Sequence, residues 1–573
     1  MEDFKVSRRD FAKGMAFGAL GLAGAGLTGC APKSQSSELA LTAGGDVDWD
    51  DEFDFIVIGS GTGLIGALAA AEEGGRVLVL EKANTIGGVT FTISGNSQWV
   101  PGNNVQGEAG FPYQGDEKTL QYLVDCDAGK GSSRERKLDY VLNARKVNEW
   151  CQDHWGFRHA LTNISDYYHH EYAQKLGHSI DFLNQATGEV YAAGSDVYAA
   201  YIEPLLDGRD VEIMTGTPAT ALVRADGGRI LGVRAGKKAF AASKGVLVAC
   251  GGFDYDEDMV RRYLNVPLGA TQAAPDNTGD GIKMGQAVGA DLENMAATWG
   301  GCALITDLGG EINLSVDNIF DYGTYRGLPF CITVDRSGRR FFNESCSYAA
   351  SSNVYDGYDS GANRLAHVPA FMIFSETYVE VIGWPSNGAS YDVAATADAA
   401  SEMPSYVRRF ETLEELAEEM GINAVNLAAE VEKFNGFCSS GVDEDFQRGS
   451  GPFDEYDETS YGFTSDTWPL VSNLPNKALG PITAPYYVVV EAPGAVNTCG
   501  GLRVNKNFQV LDAFGEVIEG LYASGSSCGG PLGSCYGGAG GAVGPGYYGA
   551  FKAADVAMGY GLVMYEETGE AEA

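Results

Sequence analysis

The stretch at residues 53–81 constrains the fold more than any other, because it compresses a strand, a glycine turn, a helix and a second strand into one short unit. Residues 55–58 are continuously apolar, as a strand buried on both faces of a parallel sheet requires. The run leads into glycines at 59, 61, 63 and 66. Gly59 makes the tight turn, Ser60 follows it, and Gly61 lets the backbone approach a pyrophosphate that any side chain would block. Small residues from 66 to 71 let the next helix lie close on the sheet, with its N-terminus toward the anion. Glu81 ends the second strand 22 residues after Gly59, where a carboxylate can accept hydrogen bonds from an adenosine ribose, and Lys82 follows it. Leu64 stands where the third glycine of GxGxxG belongs, so the turn is expected to be one residue shorter. The order of strand, helix and acid makes this a dinucleotide-binding βαβ unit in an α/β, Rossmann-like domain.

The chain begins with an address. Ser7, Arg8, Arg9, Phe11 and Lys13 form an S-R-R-x-F-x-K run ahead of a mild, glycine-rich apolar segment at 14–29, which is the pattern of a twin-arginine export signal. Leu27, Thr28, Gly29 and Cys30 make up a lipobox, so cleavage before Cys30 and lipidation of its sulfur would tether the mature chain to the outer face of a membrane. The competing reading is one membrane anchor, for which sixteen residues fall short of the roughly 20 that a helical crossing needs. Residues 31–50, polar and small, read as a linker.

A formal charge of −38 argues against nucleic acid as a partner. The ten cysteines after Cys30 show no CxxC, haem or ferredoxin spacing, and their disulfide pairing is left open. No metal site is expected; His169, His170 and His178 lack zinc spacing and read as part of a polar loop.

Beyond residue 81 the chain divides into a cofactor lobe at 51–293, an α+β substrate or cap lobe at 294–475, and a return to the cofactor lobe at 476–565, where glycine becomes dense again. Apolar spacing is helical over 117–155 and 413–437, and short strands are expected at 211–214, 219–223, 230–233 and 246–249.

Several motifs then coincide: VLVACGGF at 246–253, TGDGIKMGQAVGA at 278–290, RRFFNE at 339–344, NTCGGLR at 497–503 and GLYASG at 520–525. Together with the βαβ unit and Gly87-Gly88, they resemble the fumarate reductase and 3-ketosteroid dehydrogenase superfamily of flavoproteins. The resemblance implies a discontinuous FAD domain with an inserted cap domain and noncovalent FAD. It implies cofactor contacts from Gly59, Ser60, Gly61, Gly63, Glu81, Lys82, Gly87, Gly88, Gly252, Asp280, Gly500, Gly501 and Gly525.

The branch follows from charge. Dicarboxylates need fixed cations, and fumarate reductases place arginines after RFxNE and in the C-terminal glycine run, with a histidine before TxGG. Tyr348, Tyr536 and Asn497 occupy those positions here. An uncharged, phenolic site resembles the 3-ketosteroid dehydrogenase branch, which also matches NESCSY at 343–348, SDYY at 165–168 and LGSCYGGAG at 532–540. By that resemblance a hydride passes between substrate and flavin. The Tyr487 hydroxyl and a backbone N–H downstream would stabilise an enolate, while Tyr348, assisted by Tyr168, would handle the α proton.

The implied substrate is a bulky neutral ketone, with a quinone or cytochrome in the membrane as redox partner. Other readings stay open: an enone reductase fed by membrane electrons, a fumarate- or urocanate-type acrylate reductase relying on Arg336 or Arg339, and a non-catalytic flavin electron shuttle.

Overall fold

The computed structural model describes residues 42–43, 47–127, 131–162, 164–308, 312–321, 325–351, 353–385, 402–454 and 469–568. The expected export signal and Cys30 lie outside the described residues.

The apolar runs flanking the glycine turn form β1 (Asp51–Ile58) and β2 (Val77–Leu80), joined through α1 (Gly63–Ala71). Every residue of α1 and β2 is buried, so the helix needs no polar face and its small side chains allow close approach to the sheet. β2 pairs in parallel with β1 and with β3 (Val211–Met214). The strands β4 (Ala221–Arg224), β5 (Ile230–Ala235) and β6 (Lys238–Val248) form an antiparallel meander, and β6 lies parallel to β1. β6 is longer than its apolar end at 246–249 foretells, because its first half pairs with β5 beyond the buried stretch.

The helical spacing at 117–155 resolves into α2 (Asp116–Cys126) and α3 (Arg134–His154), the second capped by Ser133. α4 (Asp280–Ala287) packs so closely on β6 that a Cβ on Gly281 would meet Val248 at 2.4 Å.

The second lobe holds an antiparallel sheet. Its path runs from β8 (Ile319–Asp321) through β7 (Thr298–Leu304), β11 (Tyr486–Thr498) and β10 (Ala370–Ser375) to β9 (Cys331–Val334). α5 (Leu413–Met420) and α6 (Ala424–Ser440) cover it, separated at Gly421, whose φ of +67° suits glycine. The central strand β11 lies beyond the expected boundary at 475. The valine run and glycine spacing of 486–498 read as a return to the cofactor lobe, but the chain crosses back only after Thr498.

There β12 (Val517–Ala523) adds to β6 in parallel, and α7 (Val543–Met558) packs against α1, leaving no room for a side chain at Gly66. The first sheet is therefore built from both ends of the chain, and the cap sheet from the middle. Among the described residues, no helix is long and apolar enough to cross a membrane.

Candidate active site

A cleft of about 1230 Å³ opens beyond the carboxyl ends of β1, β2 and β6, the place where doubly wound sheets bind ligands. Its floor is backbone. Gly59 has φ of +102°, and a Cβ there would sit 2.4 Å from the Ala249 carbonyl oxygen. Gly61, Gly88 and Gly525 line the same cleft. Thr62 and Ala542, the N-cap residues of α1 and α7, also face it. Neither end is capped by a side chain and neither first turn carries an acid, so the positive ends of two helix dipoles converge where an anion would lie.

Glu81 lines the cleft and organises it. Its Oε2 accepts from the Ser60 N–H at 3.0 Å and the Ser60 hydroxyl at 2.6 Å, and its Oε1 accepts from the Ala83 N–H at 2.8 Å. Ser60 Oγ in turn accepts from the Gly87 N–H at 2.8 Å, tying the two glycine turns together. A carboxylate has about four acceptor positions, which leaves one for a ribose hydroxyl. Lys82 donates to Asp280 at 2.9 Å and to Thr278 at 2.7 Å, fixing the start of α4 at the cleft wall.

Four of the expected glycines act from behind this wall. A Cβ on Gly63 would meet Val57 at 2.8 Å, on Gly252 the Thr498 hydroxyl at 2.1 Å, on Gly500 the Asn294 carbonyl at 2.4 Å, and on Gly501 the Ser527 carbonyl at 2.4 Å. They set the spacing between elements, while Gly251, Asn277 and Asn497 face the cleft. A cradle of glycine backbone, helix N-termini and one acid fits a dinucleotide bearing a pyrophosphate and a ribose.

At the cleft's inner end stands a cluster of phenols. Tyr536 lines the cleft, and its ring lies 5.5 Å from that of Tyr348 and 5.8 Å, stacked, from that of Tyr167. The Tyr167 and Tyr348 rings meet at 5.1 Å, and Trp299 and Phe453 complete the enclosure. All three phenols are at least nine-tenths buried. Burial raises the Tyr536 hydroxyl above its ordinary value, opposed by hydrogen bonds from the Tyr348 hydroxyl and the Ala542 backbone N–H at the start of α7.

The structure separates the two tyrosines of the SDYY run. Tyr167 supplies a ring to the cluster, whereas the Tyr168 hydroxyl accepts the Tyr536 backbone N–H at 3.1 Å. Tyr168 thus holds the loop that carries Tyr536. That loop is clamped further: the Gly537 carbonyl accepts from Tyr122 Oη at 2.7 Å and from the Tyr167 N–H at 3.1 Å. Behind it the buried Asp166 accepts from Trp99 Nε1 at 2.8 Å, His178 Nδ1 at 2.9 Å and the Gln174 N–H at 2.9 Å. His178 is therefore an interior support, contrary to the polar-loop expectation.

Tyr487 is not part of this cluster. It sits near the start of β11, in a separate cap core with Phe374 and Tyr378. Its hydroxyl donates to Glu376 at 2.5 Å and accepts from Arg409 at 3.3 Å. The residues of β11 that face the cleft, Val496 and Asn497, lie at its far end. A strand rises about 3.3 Å per residue, so the nine steps from Tyr487 to Val496 carry the phenol roughly 30 Å away. Among the described residues, the phenol that lines the cleft is Tyr536.

The arginines held open for an anionic substrate point elsewhere. Arg336 lies over the Phe371 ring and Arg339 reaches Asn426 on α6. Arg340 and Arg448 are consumed in a buried ion-pair knot with Glu344 and Asp443. A second buried group, Cys302, Asp321 and Glu491, brings three ligand-type atoms within 4.8 Å. Burial pushes Glu491 up to about 8 against the pull of the Arg326 guanidinium, so a proton and an arginine balance this cluster's charge.

Taken from cradle to phenols, these features define an FAD-dependent oxidoreductase. The chain belongs to the FAD binding domain family, whose model matches residues 54–543, and its cofactor is FAD. It is 29% identical over 568 residues to 4-oxocyclohexanecarboxylate 2-dehydrogenase of Sinomonas cyclohexanicum, covering 89% of this chain and 94% of the relative. It is 30% identical over 590 residues to 3-oxosteroid 1-dehydrogenase of Mycobacterium tuberculosis, covering 88% and 99%. Among solved structures it is similar to 3-ketosteroid delta1-dehydrogenase from Sterolibacterium denitrificans in complex with 1,4-androstadiene-3,17-dione. The TM-score there is 0.74 at 25% identity, covering 89% of this chain and 100% of the other. The branch is that of the 3-ketosteroid dehydrogenases within the fumarate reductase and succinate dehydrogenase flavoprotein superfamily.

Proposed function

We propose that this chain moves two hydrogens across the carbon–carbon bond next to the carbonyl of a bulky neutral cyclic ketone, of which a 3-ketosteroid is the type. The observation that carries this reading is the meeting of the Tyr348 and Tyr536 hydroxyls at the inner end of the FAD cleft. FAD, held by the glycine cradle and Glu81, would supply the two-electron chemistry needed at the β carbon.

The α proton falls to the chain. Burial keeps Tyr536 protonated, so its hydroxyl is a donor for the ketone oxygen, and by the family resemblance a backbone N–H downstream would add a second hydrogen bond. Charge building on that oxygen is stabilised by donors already aimed at it, worth on the order of 2.7 to 4 kcal/mol each. Tyr348, whose ring touches those of Tyr536 and Tyr167, exchanges the α proton. Tyr168 and Asp166 hold the loops that bring these rings together. The similarity to dehydrogenases of a 3-oxosteroid and of an oxocyclohexane acid supports a cyclic ketone, the group those two substrates share.

The same residues serve desaturation and enone reduction, since both pass through the same enolate. A panel of ketosteroids, simple cyclohexenones and dicarboxylates, run with an electron acceptor and with a reductant, tests the reading. Turnover of neutral ketones with none of fumarate is expected; turnover of fumarate alone overturns it.

We further propose twin-arginine export and lipid anchoring through Cys30, with a membrane quinone or cytochrome as redox partner; the sequence of residues 7–30 supports the address. Arg8→Lys with Arg9→Lys should strand folded, FAD-loaded protein in the cytoplasm, and normal export would dismiss the signal.

A further inference from the structure

Trp299 stands at the edge of the phenol cluster with a hydrogen-bond donor that no described residue uses. Its indole is 6% exposed, and Nε1, though buried, has no partner among the described residues. Buried donors are normally paired, and one left unpaired at a binding site marks a place where a ligand supplies the acceptor. The direction of the side chain is set by the cap sheet. Trp299 lies on β7 directly opposite Asn497 of β11, and residues opposite one another in an antiparallel pair share a face. Asn497 lines the cleft, so Trp299 belongs to the cleft side. Its ring meets that of Tyr536 edge-on at 5.3 Å.

A ketone oxygen has two lone pairs, and in the proposed reaction these are taken by Tyr536 and by a backbone N–H. The indole comes from the opposite lobe. We infer that Trp299 Nε1 reads a second acceptor oxygen on the substrate, so that the enzyme's ligands are cyclic ketones carrying a further oxygen function away from the reacting carbonyl. This rests on the ketone reading above. A ligand without that oxygen leaves the buried donor unpaired, and a site built around a hydrogen bond rejects such analogues far better than a hydrophobic pocket rejects a missing methylene.

The probes are two pairs of ketones: methyl 4-oxocyclohexanecarboxylate with 4-ethylcyclohexanone, and androst-4-ene-3,17-dione with androst-4-en-3-one. Affinity is read from the change each produces in the absorbance of the FAD-loaded protein, and kcat/KM is measured alongside. In at least one pair the wild type should bind the oxygen-bearing member about 10- to 100-fold more tightly. Trp299→Phe should narrow that gap to about twofold while FAD content and the ligand-free spectrum stay unchanged. Equal affinities within both pairs overturn the inference from the wild type alone, whether or not the variant folds. A variant that weakens both members equally assigns the indole to the ketone or to packing, and one that loses FAD or shifts its resting spectrum assigns it to the cofactor; either result overturns the inference too. Ketones that bind with the expected preference but are never turned over would sink the proposed function and leave this inference standing.

Discussion

The two halves of the site are built on opposite principles. The FAD cradle is made of absent side chains: Gly59, Gly61, Gly63 and Gly66 follow one another in a single βαβ unit, and several leave no space for a Cβ. The phenol cluster is made of present ones, brought from three segments that share no local structure: Tyr167, Tyr348 and Tyr536. The cradle should therefore fail when an atom is added, and the cluster when one is removed.

The largest effect is expected in the cluster. Tyr536→Phe removes one oxygen and keeps the ring that packs on Tyr167, Tyr348 and Trp299. Turnover should fall by about 100- to 1,000-fold, the usual worth of a positioned donor to a developing oxyanion. FAD absorbance should hold, while stability should drop by about 1 to 3 kcal/mol because the Tyr348 hydroxyl and the Ala542 N–H lose their acceptor. Near-normal turnover on the best ketone would remove the hydroxyl from the chemistry.

Next in size is the reverse operation on the cradle. Gly59→Ala adds one carbon against the Ala249 carbonyl, at a residue whose φ of +102° disfavours any side chain. FAD affinity should drop by about 100-fold, measured by fluorescence of released flavin on dilution, while whatever holoenzyme remains should keep its turnover. A fall in turnover at full FAD occupancy would erase the distinction between the two halves.

This contrast also governs what could be read from the sequence. The cradle was legible because its constraint is local: an apolar strand, spaced glycines and an acid at a fixed interval describe one backbone path. The cluster was legible only by motif. Tyr348 fell in place through its distance from RFFNE, and Tyr536 was recognised as the position where related enzymes carry arginine, yet the enolate-stabilising role was expected of Tyr487. Nothing in residues 486–498 shows that the strand crosses the whole cap sheet, so that its two ends serve different cores. The adjacent pair Tyr167 and Tyr168 was likewise ambiguous, since alternation along a loop gives no face, and only the bond from the Tyr536 N–H to Tyr168 tells support from cluster.

The two halves meet at Asp254, and there pH should act on the joint. This buried carboxylate accepts from the Thr498 N–H at 3.0 Å, the Thr498 hydroxyl at 3.1 Å and Thr271 Oγ1 at 3.1 Å, where β11 leaves the cap. Burial raises its pKa to about 6. A folded-state value above the unfolded one means that its stabilising contribution is fully present below about pH 4 and is lost as pH rises through 6. Asp254→Asn cannot titrate. Relative to the wild type, its unfolding free energy should improve by roughly 1 to 3 kcal/mol between pH 4 and 7. Parallel stability curves over that range would show that the joint carries no such charge.

The smallest effect should come from the phenol to which the resemblance assigns enolate stabilisation. Tyr487→Phe deletes the hydroxyl that donates to Glu376 and accepts from Arg409, in a core where the ring also stacks on Phe374 at 5.6 Å. The ring and its packing survive, and the lost hydrogen bond should lower stability by about 1 kcal/mol. Nothing at the inner end of the cleft touches this hydroxyl, so kcat on the best ketone should stay within about twofold of wild type, beside the drop expected for Tyr536→Phe. The paired measurement is decisive because both substitutions remove one phenolic oxygen and differ only in which end of the cap sheet feels it. A large fall in turnover for Tyr487→Phe at unchanged stability and FAD content would mean that the cap reorganises around substrate and brings the start of β11 to the flavin.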